Sequence, residues 1–315
     1  MNRREFVAGV GAIAAGAMVA RVAAGSQPPA APASEPAPAK PLRKRTLKRA
    51  AMLGMLAEGD TIQDKFQTLR DLGYDGVEID RPGRTPLEEY AAAQDKTGLK
   101  VHGIVDAVHW SSQLNNPAPE IRAKGLAALE SCLRDAKQLG ATSVLLVPAV
   151  VNADLPYADA WKLSQEQIRK ALAAAQETGV KIAIENVWNN FLLSPLEAAQ
   201  YLAEFNSPLV AWHFDIGNVI NFGWPEQWIR VLGPRTAKLH IKDFSRKKRD
   251  DLGLWKGFDV ELGEGDAGWS RVMAALDEIG YSTAPGGNWA TAEVRGGKRD
   301  RLKQVLEQMD RLFAM

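Results

Sequence analysis

Residues 237–243 read AKLHIKD, a short apolar run that closes on an imidazole, an ammonium and a carboxylate. Three other runs are built in the same way, each rich in apolar residues and ending at or near an acid. They are KIAIE (181–185), LVAWHFD (209–215) and ATAEV (290–294). Helix-like sequence separates the four runs, and a parallel barrel carries the ends of all its strands to one face. The groups that we expect to converge at that face are Glu185, Asp215, His240 and Glu293.

The same alternation of strand and helix continues through the rest of the chain from residue 42. The remaining strand candidates are 51–56, 76–79, 101–105 and 143–148. Amphipathic runs between the strands begin at capping residues such as Thr61 and Ser194, or end at glycines such as Gly140 and Gly179. Eight strand–helix pairs in order, without hairpin signals, predict an α/β fold in which 42–315 form a single (β/α)8 TIM barrel domain. No G-x-G-x-x-G follows the first strand, which disfavours an open dinucleotide-binding sheet.

The first 41 residues stand apart from this pattern. Arg3 and Arg4 precede an apolar Ala/Gly-rich run, and together they resemble a twin-arginine export signal over 1–25. Residues 26–41 are rich in Pro and Ala and predict a linker. A membrane-spanning helix is the alternative, but the apolar run stops at Arg21, short of the ~20 residues that a span needs. We therefore expect passage through the twin-arginine translocon to the periplasm or beyond, and no stable membrane span.

Several phrases of the barrel segment resemble the sugar phosphate isomerase/epimerase group, which has a xylose isomerase-like TIM barrel. They are GYDGVEI (73–79), VHGIV (101–105), IENVWNN (184–190), FDIGNV (214–219), LHIKDF (239–244), LGEGDAGW (262–269) and AEVRGG (292–297). The pairing of LHIKD with LGEGD is the most specific of these signals. By this resemblance the metal ligands are Glu185, Asp215, His240 and Glu293.

The chemistry of those four groups can also be judged on its own. Three carboxylates and one imidazole suit a hard or borderline divalent ion, Mn²⁺ first, with Mg²⁺, Co²⁺ and Zn²⁺ as alternatives. Such an ion could polarise the carbonyl of a hydroxy-ketone and stabilise the ene-diolate that follows. The resemblance implies that Glu185 and Glu293 are also catalytic, one removing a proton and the other returning one. A ligand role alone for either residue stays open, as does ligation by His213 in place of Asp215.

Five further residues are predicted to contact substrate: His102, Trp188, Asn218, Lys242 and Arg295. The resemblance places a histidine at the end of the third strand, where we expect His102, although a buried core histidine is the alternative. Strand alternation puts Lys242 on the side of His240 and Arg295 on the side of Glu293. Ketose epimerases commonly carry a substrate-binding histidine where this chain has Asn218, so its substrate contacts should differ. Trp188 belongs to a set of loop aromatics suited to stacking on a sugar.

Two other features leave alternatives open. Glu78 ends the second strand and is equally suited to a salt bridge or to function. The insertion over residues 244–266 contains the charge run RKKRDD, which is expected to be a solvated loop face. A role of the segment in a lid or a dimer contact is the alternative. His109, in the loop after the third strand, is expected to be an ordinary loop residue.

The composition of the chain disfavours a nucleic-acid-binding function. With 46% apolar and 24% charged residues and a net charge of +1, the chain shows no basic nucleic-acid surface. We expect a sugar isomerase or epimerase acting on a non-phosphorylated keto-sugar or related polyol, because phosphorylated metabolites are scarce outside the cytoplasm. The alternative is a metal-dependent lyase or dehydratase acting on a keto-glycoside or inosose. An abasic-site endonuclease, which would need more histidines than the four present, and a non-catalytic sugar-binding barrel are remote. The sequence leaves open whether the protein forms a homo-oligomer.

Overall fold

Eight parallel strands close into one barrel in the computed structural model, which describes residues 44–284 and 288–315. The strands are β1 (Lys48–Met52), β2 (Gly76–Arg81), β3 (Lys100–Asp106), β4 (Ser143–Leu146), β5 (Lys181–Glu185), β6 (Val210–Asp215), β7 (Thr236–Ile241) and β8 (Trp289–Ala292). Each pairs with its sequence neighbour, and β8 returns to β1. The predicted single-domain TIM barrel is therefore confirmed. The first strand lies earlier than the predicted 51–56, since the chain turns into a 3-10 helix at Leu53–Met55.

Helices surround the barrel and take up the chain between strands. They are α1 (Ile62–Leu72), α2 (Leu87–Thr97), α3 (Pro119–Leu139), α4 (Tyr157–Thr178), α5 (Pro195–Ala203), α6 (Ile216–Ile220), α7 (Pro225–Leu232), α8 (Arg246–Leu252), α9 (Trp269–Glu278) and α10 (Arg299–Phe313). Thr61 and Ser194 form capping boxes with Asp64 and Glu197, as their spacing predicts. Within the described residues, no helix combines the length and the apolar character that crossing a membrane requires.

Alternation along β6 shows how the barrel separates its core from its site. Trp212 and Phe214 point outward to the helices, where both lie 6.3 Å from the ring of Trp228 in α7. His213 and Asp215 point into the barrel, and the His213 ring is 4.2 Å from that of His240. The outward residues bury apolar surface, which stabilises the fold. The inward residues near the strand ends can form a functional site.

The predicted export signal (1–25) and the whole of the predicted linker (26–41) belong to residues 1–43, which lie outside the described residues.

Candidate metal centre and active site

Glu185, Asp215, His240 and Glu293 meet at the carboxyl ends of the strands, as the sequence predicts. One ligand atom of each lies within 4.8 Å of those of the other three. His240 Nδ1 is the centre of the group, 3.0 Å from Glu185 Oε1, 3.2 Å from Glu293 Oε2 and 3.9 Å from Asp215 Oδ2. Glu185 and Asp215 end their strands, and Glu293 follows β8 directly, where its N–H still donates to Ile241 O at 3.2 Å. Four neighbouring strands, β5 to β8, thus supply the cluster.

The cluster has the features that a divalent cation requires. Asp215 Oδ2 and Glu293 Oε2 are buried, and neither has a hydrogen-bond donor of good geometry. The nearest cation is Lys242, whose Nζ lies 3.0 Å from the first oxygen and 2.6 Å from the second. Buried carboxylate oxygens without full hydrogen bonding are costly unless a charge compensates them. Oxygen and imidazole donors at these spacings fit Mn²⁺, Mg²⁺, Co²⁺ or Zn²⁺.

Glu78 fixes the orientation of the histidine. It lies fully buried inside the barrel, and its Oε2 is 3.2 Å from His240 Nε2, on the far side of the ring from the four-residue cluster. A carboxylate behind a histidine in this way holds the ring and leaves its other nitrogen to face an ion. Glu78 Oε1 lies 3.8 Å from His213 Nδ1, so the same carboxylate also faces the deeper histidine. The contact with His240 is a charge pair and also reaches a candidate ligand, so both alternatives for Glu78, a salt bridge and a functional role, stay open.

The two glutamates proposed as acid and base differ in basicity. Burial raises the pKa of Glu185 to about 7, although the hydrogen bond to His240 opposes this. Burial also disfavours ionised Glu293, but Lys242 and His240 outweigh it and hold the pKa of Glu293 well below its usual range. Burial would lower the pKa of His240 as well, yet the surrounding carboxylates, Glu293 foremost, hold that pKa well above the ordinary value. One carboxyl can therefore exchange a proton near neutral pH while the other stays ionised.

A cavity of about 220 Å³ lies over the cluster. Besides cluster residues it is lined by Met52, Asp80, Val105, His109, Trp110, Leu145, Val187, Asn218 and Lys242. It has room for a group the size of one sugar ring. Asp80, at the end of β2, and His109, after β3, are lining residues that the sequence interpretation did not assign to the site. Asp80 lies inside β2, two residues after the inward Glu78, and His109 lies in the loop that begins after Asp106, so only their positions near strand ends could have pointed to the site.

The predicted substrate residues do not all reach this cavity. Lys242 and Asn218 line it, and the Asn218 N–H donates to Asp215 Oδ1 at 2.7 Å, which orients that carboxylate. Trp188 stands one layer back, where its Nε1 donates to Asn218 O at 2.9 Å and its ring packs on Phe258 at 5.1 Å. Arg295 lines an adjoining groove. The contacts of all four with substrate stay predictions.

The expectation that His102 closes its strand is wrong, because β3 continues to Asp106. His102 is buried deeper in the barrel and is not among the residues that line the cavity. The Lys238 ammonium donates to its Nδ1 at 2.9 Å, and its Nε2 lies 2.9 Å from Thr291 Oγ1. Its ring stacks on Trp289 with centroids 4.3 Å apart. These surroundings fit the alternative given for His102, a core histidine whose polar atoms are hydrogen-bonded.

Asp243 anchors the long loop after β7. Its carboxylate accepts from the backbone N–H groups of Gly263 (3.0 Å), Gly265 (3.2 Å) and Ala267 (3.2 Å), and from Trp269 Nε1 (2.9 Å). The glycine at 265 is required, since a Cβ there would lie 2.1 Å from Asp243 Oδ1. The insertion itself folds into α8 and a 3-10 helix at Leu254–Phe258 rather than an open loop.

Comparison with known proteins agrees with the fold. Residues 66–314 match the family model described as "Xylose isomerase-like TIM barrel", and the chain belongs to that family. A search of curated proteins finds no match.

Solved structures share the whole barrel at low identity. The 3-keto-D-glucoside 4-epimerase YcjR from E. coli has a TM-score of 0.69 at 18% identity, covering 86% of this chain and 100% of its own. D-allulose 3-epimerase from Methylomonas sp., solved with D-allulose, has a TM-score of 0.68 at 18% identity, covering 85% and 98%. IolI, solved with a zinc atom, has a TM-score of 0.69 at 18% identity, with coverage of 85% and 98%. At such identities the likeness shows the fold alone.

Proposed function

We propose that this protein is a divalent-metal-dependent sugar isomerase or epimerase acting on a non-phosphorylated keto-sugar or related polyol. The observation that carries the proposal is the pair Glu185 and Glu293, which line one sugar-sized cavity, share one ligand cluster and differ in basicity. Epimerisation removes a proton next to a carbonyl and returns one to the opposite face, which calls for two such groups, whereas isomerisation can use one. Structural neighbours that act on allulose and on a keto-glucoside are consistent with this class.

In the proposed reaction Glu185 and Glu293 take the proton-transfer roles. Glu185, whose pKa is about 7, is the group that can accept a proton from a substrate carbon and release it again at neutral pH. Glu293 is anionic beside Lys242, so it removes a proton from the substrate in the direction in which protonated Glu185 supplies one, and it returns that proton in the reverse direction. Negative charge develops on the substrate between the two transfers. The Lys242 ammonium lines the cavity and offsets that developing charge.

The same four residues would hold the ion. Glu185 Oε1, Asp215 Oδ2, His240 Nδ1 and Glu293 Oε2 are the donor atoms that face one another. The ion, when bound, polarises the substrate carbonyl and lowers the cost of charge on its oxygens. We propose Mn²⁺ as the resident ion, with Mg²⁺, Co²⁺ or Zn²⁺ as alternatives, since the donor set does not discriminate sharply among them. The twin-arginine signal adds the proposal that the folded enzyme is exported.

A lyase acting on a keto-glycoside or inosose is the second candidate, and it shares the same first proton transfer. The observation in its favour is a groove that extends the cavity past Lys242 and Glu293, where a leaving group could lie. An endonuclease is disfavoured, because within the described ranges the only clusters of metal-ligating side chains are the four-residue cluster and Glu78, His213 and His240, which share one histidine.

The test is a mass-spectrometric screen in D₂O of the Mn²⁺-loaded protein with free ketoses, inososes and keto-glycosides. Incorporation of deuterium without loss of water or of an aglycone would identify an isomerase or epimerase, while such a loss would identify the lyase. Glu185→Gln should abolish incorporation while leaving the fold intact by circular dichroism. Full incorporation by that variant would refute the acid–base assignment.

A further inference from the structure

A second depression adjoins the candidate active site. This groove has a volume of about 430 Å³ and shares Lys242 and Glu293 with the smaller cavity over the cluster. Its other lining residues are Asp243, Phe258, Asp259, Val260, Val294 and Arg295. The cavity alone suits a single ring, so a substrate that fills both spaces must have a second part beyond that ring.

The groove is built from parts that are held in place. Phe258 forms one wall, and its ring packs against Phe244 at 4.9 Å and Trp188 at 5.1 Å. The Lys242 ammonium lies 5.4 Å from the centre of the Phe258 ring. Val260 and Val294 add aliphatic surface, and the Asp243 anchor ties down the chain beyond Val260. A preformed apolar wall favours a flat apolar group, because little entropy is lost in ordering it.

The charges around the groove leave one cation available. Lys242 is paired with Asp215 and Glu293, and the Asp243 carboxylate accepts five N–H groups. Asp259 pairs with Lys256 at 2.8 Å. Over residues 44–284 and 288–315 the guanidinium of Arg295 makes neither an ion pair nor a hydrogen bond, and only its backbone carbonyl is bonded, to Arg301. The hydrogen bond from Lys256 lowers the pKa of Asp259 and the charge of Arg295 adds to this, but no hydrogen bond or ion pair ties the guanidinium to that carboxylate. An acidic group on the ligand would therefore find a guanidinium without a bound partner among the residues that line the groove.

We propose that this groove is a subsite for the aglycone of a keto-glycoside, and that it selects a flat, apolar aglycone that carries a carboxylate. The inference rests on the proposed function, since it places the keto-sugar ring over the Glu185–Glu293 cluster. The glycosidic oxygen then lies at the junction of the two spaces, near Lys242. The aglycone packs on Phe258 and Val294, and its carboxylate meets Arg295.

Binding of the aglycone alone tests the subsite without catalysis. The probes are 4-hydroxybenzoate, which has the ring and the carboxylate, and phenol, which has the ring only. Their affinities would be measured by tryptophan fluorescence and ligand-observed NMR with the barrel protein in the absence and presence of Mn²⁺. Arg295→Gln should weaken the binding of 4-hydroxybenzoate about fivefold, as expected for loss of an ion pair near the surface, and should leave the binding of phenol unchanged. Val294→Trp should fill the groove and weaken both probes, whereas the matched control Arg311→Gln, at an exposed arginine of α10, should change neither.

The outcomes separate the subsite from the proposed function. Equal binding of both probes, or equal effects of the Arg295 and Arg311 variants, would overturn the selection for an acidic aglycone. Unchanged binding in Val294→Trp would overturn the subsite itself. Deuterium incorporation into methyl 3-keto-glucoside reports on the chemistry independently, because that substrate has almost no aglycone. If it is turned over but neither probe binds, the subsite fails alone; if the probes bind in the groove but no keto-sugar reacts, the proposed function fails and the preference for an acidic glycoside falls with it.

Discussion

Replacing Lys242 with Met should tighten the binding of a divalent ion. The ammonium lies 3.0 Å from Asp215 Oδ2 and 2.6 Å from Glu293 Oε2, the same two oxygens that we propose as ligands. Two unit charges 4 Å apart repel by about 4 kcal/mol at an effective dielectric constant of 20, so the lysine must withdraw when an ion binds. Withdrawal breaks two contacts between charged groups, each worth about 1.5–3 kcal/mol.

The measured gain will be smaller than that sum, because without the lysine the carboxylates take up protons that the ion must then displace. We expect Lys242→Met to bind Mn²⁺ about ten- to thirtyfold more tightly at pH 8, or about 1.4–2 kcal/mol. Competition with a chelating dye would measure this, and Lys256→Met, at an exposed lysine paired with Asp259, is the matched control. Turnover should fall despite the tighter ion, since the substrate-facing charge is lost. An affinity for Mn²⁺ that is unchanged or lower in Lys242→Met would refute the competition between lysine and ion.

Three other substitutions have defined outcomes. Glu78→Gln keeps the shape behind the histidine but loses the charge, so Mn²⁺ affinity should fall about 10–100-fold, and the melting temperature should fall because a buried ion pair is broken; an unchanged affinity would contradict its positioning role. Burial raises the pKa of Asp106 to about 6, so the native state loses stability as pH rises between the unfolded value and 6. Asp106→Asn should therefore stabilise the protein by about 1–3 kcal/mol at pH 7.5 and by almost nothing near pH 4 in urea titrations, and an equal effect at both pH values would exclude this cause. Gly265→Ala should cost about 1–3 kcal/mol, because its Cβ would meet Asp243, whereas Gly54→Ala, with no atom within 4 Å, should be tolerated in the same thermal melts.

The sequence carries the candidate ligands clearly because each occupies the end of an apolar run. In a parallel barrel the carboxyl ends of all strands lie at one face. Glu185, Asp215, His240 and Glu293 could therefore be predicted to meet there without knowledge of the strand register. Capped helices such as the one that begins after Thr61 are equally local signals. These features depend on neighbours in the chain.

How deep His102 lies in the barrel could not be predicted from its neighbours in the sequence. β2 and β3 shift register between Val77 and Glu78, and Glu78 then pairs with Gly103. An added Cβ at Gly103 would lie 2.6 Å from Glu78 Oε1, so the missing side chain makes room for the buried carboxylate. That fit joins residues from two strands, and neither run alone predicts it. The predicted strand at 101–105 ends one residue before the observed end of β3 at Asp106, so the resemblance, and not the apolar run, placed His102 at the strand end.

His240 lies in β7, and Lys242 and Asp243 follow that strand directly. The first residue belongs to the ion cluster, the second to the substrate cavity, and the third fastens the following loop at Gly263, Gly265 and Ala267. The chain between Phe244 and Glu261 is therefore held at both ends, by Asp243, by the buried Phe244 and by Glu261, which pairs with Arg301 at 2.6 Å. A library that keeps these contacts and varies the exposed residues between them would sample new ligand preferences while the reaction chemistry is retained.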